Sequence, residues 1–192
     1  MGEGMARRLL GAGYRLHVLA HRNRAPIERL KAAGVHEATS PAALAAASSV
    51  IILCVSNADA VRQAVEAMRP ALTPGKTIID ATTSDPEVTR KLATKLAEDG
   101  VALCDAPLTG GPEQAEAGEL GVLLGARHQD LAIIEPVLKA FATRIEHFGL
   151  PGTGHAAKLV NNYLVCGMIA LIADSYNTAR DLGIDWGKLF SV

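Results

Sequence analysis

Short, uninterrupted apolar runs recur along the chain, separated by longer stretches in which apolar residues are spaced as on one face of a helix. The run VIILCV, residues 50 to 55, has no alternating polar positions. This pattern is typical of a strand that is buried on both faces of a sheet. The runs together predict six strands, over Leu16–Ala20, Val50–Val55, Thr77–Asp80, Val101–Asp105, Val122–Leu124 and Ile145–Phe148.

The stretches between these runs predict helices. Glycines follow several of them, at the positions where helix C-caps and turns are expected: Gly13, Gly34, Gly75, Gly100 and Gly149. Regular alternation of strands and helices implies an α/β fold with a doubly wound, mostly parallel sheet of the Rossmann type. The predicted helices are Gly4–Ala12, Pro26–Ala33, Pro41–Ala46, Ala58–Ala71, Pro86–Asp99 and Gln129–Ala142.

The pattern changes after Pro151. From about Gly154 to Leu182 Gly167 is the only breaker, so the segment predicts one helix of about 40 Å. We therefore divide the chain into a Rossmann-like domain, residues 1–150, and the start of an all-α domain, residues 151–192. Because doubly wound folds normally start with a strand, whereas this sequence starts with a helix, we expect the first strand to be missing. The helical domain is expected to be incomplete, so that the sequence reads as truncated at both ends.

Composition and charge exclude several classes of protein. The formal net charge is −1 and the basic residues are scattered, which provides no electrostatic surface for nucleic acid. The longest apolar run, Tyr163 to Ala173, is too short to cross a bilayer, and no secretion signal opens the chain. Cys54, Cys104 and Cys166 lie far apart in apolar stretches, which predicts buried free thiols in a reducing cytoplasm and no metal site.

Three polar residues stand out in the long apolar helix. Lys158 and Asn162 are four residues apart and share a helix face, whereas Asn161 points about 100° away from Asn162. On one interpretation Lys158 extends to solvent while the asparagines cap or bridge helices. On the other, the residues serve a ligand, since the glycines of the preceding segment, residues 148 to 158, let backbone approach a ligand closely.

Two further segments lie at the ends of predicted strands. Thr109, Gly110 and Gly111 offer a hydroxyl and consecutive backbone N–H groups, which suit either a carboxylate or an ordinary tight turn. His21 and Arg22 follow the first predicted strand, where a dinucleotide-binding fold meets the adenosine ribose. An arginine there would pair with a 2′-phosphate, unless the residues simply form a solvated charged stretch.

Four motifs in order resemble the β-hydroxyacid dehydrogenases, a branch of the 6-phosphogluconate dehydrogenase superfamily that includes 3-hydroxyisobutyrate dehydrogenase and tartronate semialdehyde reductase. The opening MGEGMARRLLGAGYRLHVLAHR is similar to the end of the family's cofactor fingerprint, with Gly2 matching its third glycine. DATTSDP is similar to the family's nicotinamide segment, DAPLTGG to its substrate-binding signature and GTGHAAKLVNN to its catalytic signature. The resemblance extends over essentially all 192 residues.

The resemblance implies an oxidoreductase that interconverts a small 3-hydroxy acid and its semialdehyde. Lys158 would be the general acid and base, and Asn162 would orient the substrate. Thr109, Gly110 and Gly111 would bind the substrate carboxylate; Thr109 stands where the family more often has serine. The cofactor-binding residues would be Gly2, His21, Arg22, Val55, Ser56 and Thr83. Of these, Thr83 and the backbone around Val55 and Ser56 would line the nicotinamide side.

Arg22, with Arg24 nearby, favours NADP over NAD, although NAD binding stays open. A cytoplasmic homo-oligomer is expected for the full-length form. Rival hypotheses are a reductase of another small aldehyde, such as a sulfonated one, or of imines, and a non-catalytic remnant that binds only nucleotide or a partner chain. The presence of Lys158 argues against the imine reductase.

Overall fold

The computed structural model describes residues 1–20 and 23–192; His21 and Arg22 lie outside the described residues. The chain divides into two compact units, Met1–Ala157 and Lys158–Val192. The division falls inside a helix, later in the chain than the predicted boundary at residue 150.

The first unit is the α/β body of the molecule. Its helices are α1 (Gly2–Gly11), α2 (Ala25–Ala32), α3 (Pro41–Ala47), α4 (Ala58–Met68), α5 (Pro86–Glu98), α6 (Pro112–Ala117) and α7 (Leu131–Lys139). Its strands are β1 (His17–Val18), β2 (His36–Glu37), β3 (Val50–Leu53), β4 (Thr77–Asp80), β5 (Ala102–Asp105), β6 (Leu108–Thr109), β7 (Leu120–Gly125) and β8 (Ala142–Gly149). All six predicted strands and the predicted helices are confirmed, with shifted ends. Sequence reasoning missed β2, β6 and α6.

The strands form two sheets. One contains β1 and β2 in parallel; the other has the order β3-β4-β5-β7-β6, with β8 paired to β7. The pairs β3–β4, β4–β5 and β7–β8 are parallel, whereas β7 runs antiparallel to β5 and to β6. The α/β architecture with a parallel-rich sheet is therefore confirmed.

A cleft of about 360 Å³ separates the edge of β1 from the edge of β3. His17 and Val18 line one side, and Val50 and Ile52 line the other. Among the described residues no strand joins the two sheets.

The larger sheet is covered on both faces. Ile78 and Ile79 are consecutive in β4 and both are fully buried, although successive strand residues point to opposite faces. Ile78 belongs to a core cluster with Ile51 and Leu103, and Ile79 to another with Leu124. Burial on both faces explains the uninterrupted apolar runs from which these strands were predicted.

The long predicted helix is α8, Thr153–Asp181, which is followed by α9, Trp186–Leu189. From Lys158 onward α8 belongs to the second unit, where many large apolar side chains, including Tyr163, Leu164 and Ile169, are exposed. By length and composition α8 would also pass as a membrane-crossing helix, with a mean hydropathy of 1.5 over 18 residues. A long apolar core helix of a soluble domain passes the same test, so length and composition do not distinguish the two cases.

The prediction of three buried thiols is wrong for two of them. All three cysteines are free, but Cys104 alone is buried, in the middle of β5. Cys54 comes directly after β3, which lies at the edge of its sheet, and Cys166 lies on the exposed part of α8. An apolar sequence neighbourhood does not bury a side chain when its strand or helix lies at an open surface.

Candidate active site at the strand ends

The carboxyl ends of β3, β4 and β5 lie side by side. Leu53 is paired with Asp80, and Asp80 with Asp105, so that the residues after these strands emerge at one edge of the sheet. Ligands of open parallel sheets bind at such an edge. Among the predicted cofactor-binding residues, Val55 and Ser56 follow β3 and Thr83 follows β4; all three are exposed.

Thr82 connects the ends of β3 and β4. The backbone N–H of Val55 donates to Thr82 Oγ1 at 3.2 Å, and the N–H of Thr82 donates to Asp80 Oδ1 at 3.0 Å. Thr82 is buried while Thr83 beside it is exposed. The hydrogen bonds of buried Thr82 therefore fix the backbone next to Thr83, and the side chain of Thr83 lies at the surface.

The same loop ends by starting α5. Asp85 is the N-cap: its Oδ1 accepts from the N–H of Glu87 at 2.8 Å, and Pro86 follows at the first helical position. Within this loop the buried hydroxyl of Ser84 has no hydrogen-bond partner among the described residues. Because buried hydroxyls are seldom left unpaired, this loop retains capacity for a ligand or a water molecule, which fits a cofactor-binding segment.

A buried polar cluster lies beneath this edge. Asp105 Oδ1 accepts from the N–H of Gly152 and Oδ2 from the N–H of His155, both at 2.6 Å. The carboxylate therefore caps the first turn of α8, which places a negative charge at a helix N-terminus. Burial raises the pKa of Asp105 and of the neighbouring Asp80, while hydrogen bonds from backbone N–H groups oppose that shift.

His155 completes the cluster and is fully buried. Its Nε2 lies 2.8 Å from the carbonyl oxygen of Thr82, and its Nδ1 lies 2.8 Å from Thr89 Oγ1. Because a carbonyl only accepts, Nε2 carries the hydrogen. Sequence reasoning missed Thr82, Thr89, Asp105 and His155 as a cluster, since nothing in the sequence indicates contacts across 50 or more residues.

The glycines before Lys158 lie close to neighbouring backbone atoms. A Cβ on Gly154 would overlap the carbonyl oxygen of Leu123 and lie 2.9 Å from the nitrogen of Gly125. Gly152 has φ +96°, and a Cβ there would lie 3.0 Å from the carbonyl oxygen of Pro86. Gly154 thus brings the first turn of α8 against the sheet, and Gly152 lies against α5. The predicted approach of this backbone to a ligand stays a prediction.

The predicted carboxylate-binding segment follows β5. Thr109 lies in β6 and pairs with Gly121 of β7, and Gly110 has φ +106°. The N–H of Gly111 donates to Gln114 Oε1 at 2.8 Å. A carboxylate that uses this N–H would therefore replace the Gln114 oxygen, and the binding role of these residues stays a prediction.

The adenosine end of the predicted site is only partly described. Arg24 forms ion pairs of 3.0 Å with both Glu28 and Glu37, and Lys31 lies 3.2 Å from Glu37. These cations lower the pKa of Glu37. Arg24 is thus already engaged with carboxylates, and the predicted pairing with a 2′-phosphate depends on Arg22, which lies outside the described residues together with His21.

Gly2 has no tight contact in this structure, because a Cβ there would meet no atom within 4 Å. Gly4 is the glycine of α1 that packing requires. A Cβ on Gly4 would lie 2.9 Å from the backbone of Ala115 and of Glu116 in α6. The predicted role of Gly2 at the cofactor stays a prediction.

The second unit carries the remaining predicted residues. Lys158, Asn161 and Asn162 all lie in α8 and are half-buried. Lys158 and Asn162 are one helical turn apart, as predicted. Burial lowers the pKa of Lys158 from its ordinary value, which makes its neutral amine accessible at a lower pH.

Comparison with known proteins shows what the chain is similar to. Residues 1–149 match the model of the NAD-binding domain of 6-phosphogluconate dehydrogenase. L-threonate dehydrogenase of Cupriavidus necator is 31% identical over 196 residues, which cover 100% of this chain and 66% of that protein. The chain spans about two thirds of the length of such curated relatives.

The solved structures that match the whole chain include two with a bound small molecule. One is 3-hydroxyisobutyrate dehydrogenase of Mycobacterium tuberculosis with L-serine, at a TM-score of 0.89, 29% identity and 65% of that chain. The other is a reductive aminase of Aspergillus terreus with NADPH and ethyl levulinate, at a TM-score of 0.84, 26% identity and 66% of that chain.

Proposed function

The chain belongs to the family of the NAD-binding domain of 6-phosphogluconate dehydrogenase, and from this membership we propose that it contributes to an NAD(P)-dependent oxidoreductase acting on a small 3-hydroxy acid or its semialdehyde. The observation that carries the proposal is the common edge at which Val55, Ser56 and Thr83 emerge, inside the residues that match the family. Relatives that are dehydrogenases of small hydroxy acids support the same class of reaction.

The residues at this edge fit a nicotinamide cofactor. They offer the exposed hydroxyls of Ser56 and Thr83, together with the orphaned hydroxyl of Ser84. When bound, the cofactor supplies or takes up the hydride. The residues of the chain bind the cofactor and the carboxylate and move the proton.

Lys158 is assigned the role of the group that exchanges a proton with the substrate. In reduction its Nζ donates a proton to the carbonyl oxygen of the semialdehyde; in oxidation it takes the hydroxyl proton. An ordinary lysine is a ready acid but a poor base at neutral pH, and the lowered pKa of Lys158 favours the second role. Asn162 orients the substrate, and Thr109, Gly110 and Gly111 bind its carboxylate.

The test is a substrate panel with NADPH and NADH. Succinic and tartronic semialdehydes carry a carboxylate; propionaldehyde lacks one, sulfoacetaldehyde replaces it with a sulfonate, and 1-pyrroline is an imine. We expect turnover of a carboxylate semialdehyde and at least tenfold lower kcat/KM for the other three. Turnover of the imine alone, or cofactor binding without any turnover, would overturn the proposal in favour of one of its rivals.

Arg22 is expected to set the cofactor preference. A charge-assisted pair with a 2′-phosphate contributes about 1.5–3 kcal/mol, so NADPH should be preferred over NADH by roughly ten- to a hundredfold. Replacement of Arg22 by Ala should remove most of this preference, as measured by the ratio of the two kcat/KM values. Arg24→Ala is the matched control: because Arg24 is held by Glu28 and Glu37, its replacement should change the ratio much less. Equal kcat/KM values with NADPH and NADH in the unmutated protein would refute the NADP assignment.

A further inference from the structure

Thr82 is the centre of a largely buried hydrogen-bond network. It is 2% exposed, and the network uses its N–H, its hydroxyl and its carbonyl. The N–H donates to Asp80, the hydroxyl accepts from the N–H of Val55, and the carbonyl accepts from His155 Nε2. Two of the neighbouring residues, Val55 and Thr83, belong to the proposed cofactor site.

His155 is not needed to cap α8. Asp105 already accepts from the backbone N–H groups of Gly152 and His155, so the first turn is satisfied without the imidazole. One ring nitrogen is instead directed at Thr82, in the loop between β4 and α5, and the other at Thr89, in the first turn of α5. A fully buried imidazole is costly unless both nitrogens are paired, and here both are.

The network thus joins three parts of the first unit at fixed distances. His155 links the first turn of α8 to the loop after β4, and Thr82 Oγ1 links that loop to the end of β3. Asp105, at the end of β5, holds the backbone of His155 itself. Displacement of the ring would release the carbonyl of Thr82, and with it the backbone on which Thr83 is presented.

We propose that His155, acting through Thr82, is a positioning residue that holds Val55 and Thr83 in register for the nicotinamide half of the cofactor. The inference rests on the proposed function, because it assigns these two residues to that half of the site. His155 and Thr82 do not touch the cofactor; they set the spacing of the residues that do. The effect should therefore be confined to the nicotinamide end and should leave the adenosine end unchanged.

A pair of ligands separates this role from general stabilisation. NADPH and ADP-ribose 2′-phosphate differ only by the nicotinamide, so the ratio of their Kd values reports the nicotinamide end alone. Isothermal titration of the His155→Leu variant should show Kd for NADPH raised at least tenfold, and Kd for ADP-ribose 2′-phosphate changed less than twofold. His155→Gln, whose amide can still donate to the Thr82 carbonyl, should recover part of the loss.

Two further variants test whether misfolding or general destabilisation explains the result. Thr82→Val keeps the volume but removes the acceptor for the Val55 N–H, and it should give the same selective loss if His155→Leu does not fold. His147→Leu is the matched control, since His147 lies in β8 and bonds a single carbonyl, that of Ala126 directly after β7. It should leave the ratio of the two Kd values unchanged.

The outcomes separate this inference from the proposed function. Equal losses for both ligands, or no loss for either, would assign His155 a merely structural role and overturn the inference. Unmutated protein that binds NADPH without turning over any semialdehyde would overturn the proposed function, while the Kd ratio would still decide the role of His155. Unmutated protein that does not bind NADPH would overturn both.

Discussion

Replacement of Lys158 by Ala is expected to lower kcat by roughly 10²–10⁴-fold, which is the usual contribution of a positioned acid–base group. The substitution removes the amine that exchanges the proton with the substrate oxygen. It leaves the strand ends that carry Val55, Ser56 and Thr83 untouched, so affinity for the cofactor should stay nearly constant. Steady-state kinetics in both directions and a separate cofactor titration measure the two effects.

The control is Asn161→Ala, three residues further along α8 and about 100° round the helix from Asn162. It should retain kcat within about twofold, since no catalytic role is assigned to it. A Lys158→Ala variant that keeps more than half of the unmutated kcat would show that another group transfers the proton.

The pH profile gives Lys158 a second signature. Oxidation requires the neutral amine, so kcat for oxidation should rise with pH and level off above the lysine pKa. Because burial lowers that pKa, the midpoint should lie below the ordinary value of 10.5. In reduction the protonated amine is required, and kcat should fall over the same range. Lys158→Ala should abolish both dependences.

The second large effect concerns stability. Ala in place of Gly usually stabilises a helix by about 1 kcal/mol, but Gly154→Ala should have the opposite sign. Its Cβ would overlap the carbonyl oxygen of Leu123 and lie 2.9 Å from Gly125 N and 3.0 Å from Asp105 O. These are backbone atoms of β7 and β5, which cannot turn aside as a side chain can. We expect a loss of about 1–3 kcal/mol or more, typical of overpacking a close contact.

Gly167→Ala is the matched control on the same helix. A Cβ on Gly167 would meet no atom within 4 Å, so the ordinary helical gain should appear. Hydrogen exchange read by mass spectrometry can follow each part of α8 separately. Gly154→Ala should reduce protection at Gly152–Ala156, whereas Gly167→Ala should increase protection around residue 167. Unchanged protection at Gly152–Ala156 in the first variant would contradict the close packing of α8 on the strands.

Periodicity predicted the parts of the fold that are buried on both faces. VIILCV identified β3, and all five glycines placed at element ends have positive φ, from +71° at Gly100 to +124° at Gly149. These features depend on local steric rules and on burial, both of which leave a direct record in the sequence. The missed strands β2 and β6 have only two residues each, too few for any period to be detected.

The candidate site was less accessible to sequence reasoning. α6 was missed because residues 105 to 120 were interpreted as a binding segment, although Gln114 in fact caps a helix there. GTGH was interpreted as a ligand-facing junction, and sequence reasoning did not foresee that Gly154 packs on β5 and β7 or that the His155 ring bonds Thr82 and Thr89. Contacts that join Asp105 to His155, or Thr82 to His155, depend on the tertiary fold and have no local pattern.

The facing edges of β1 and β3 have a kinetic consequence for folding. Within the described residues each edge offers backbone groups that no further strand pairs, and β3 reads VIIL, in which three residues are β-branched and none is charged. Such an edge pairs as readily with a strand of another molecule as with one of its own, which makes it a template for self-association. Pairing between molecules is second order in protein concentration, whereas folding of one chain is first order. We therefore expect the yield of native protein on refolding to rise with dilution, because dilution slows pairing between molecules at the cleft between the two sheets but not folding of one chain.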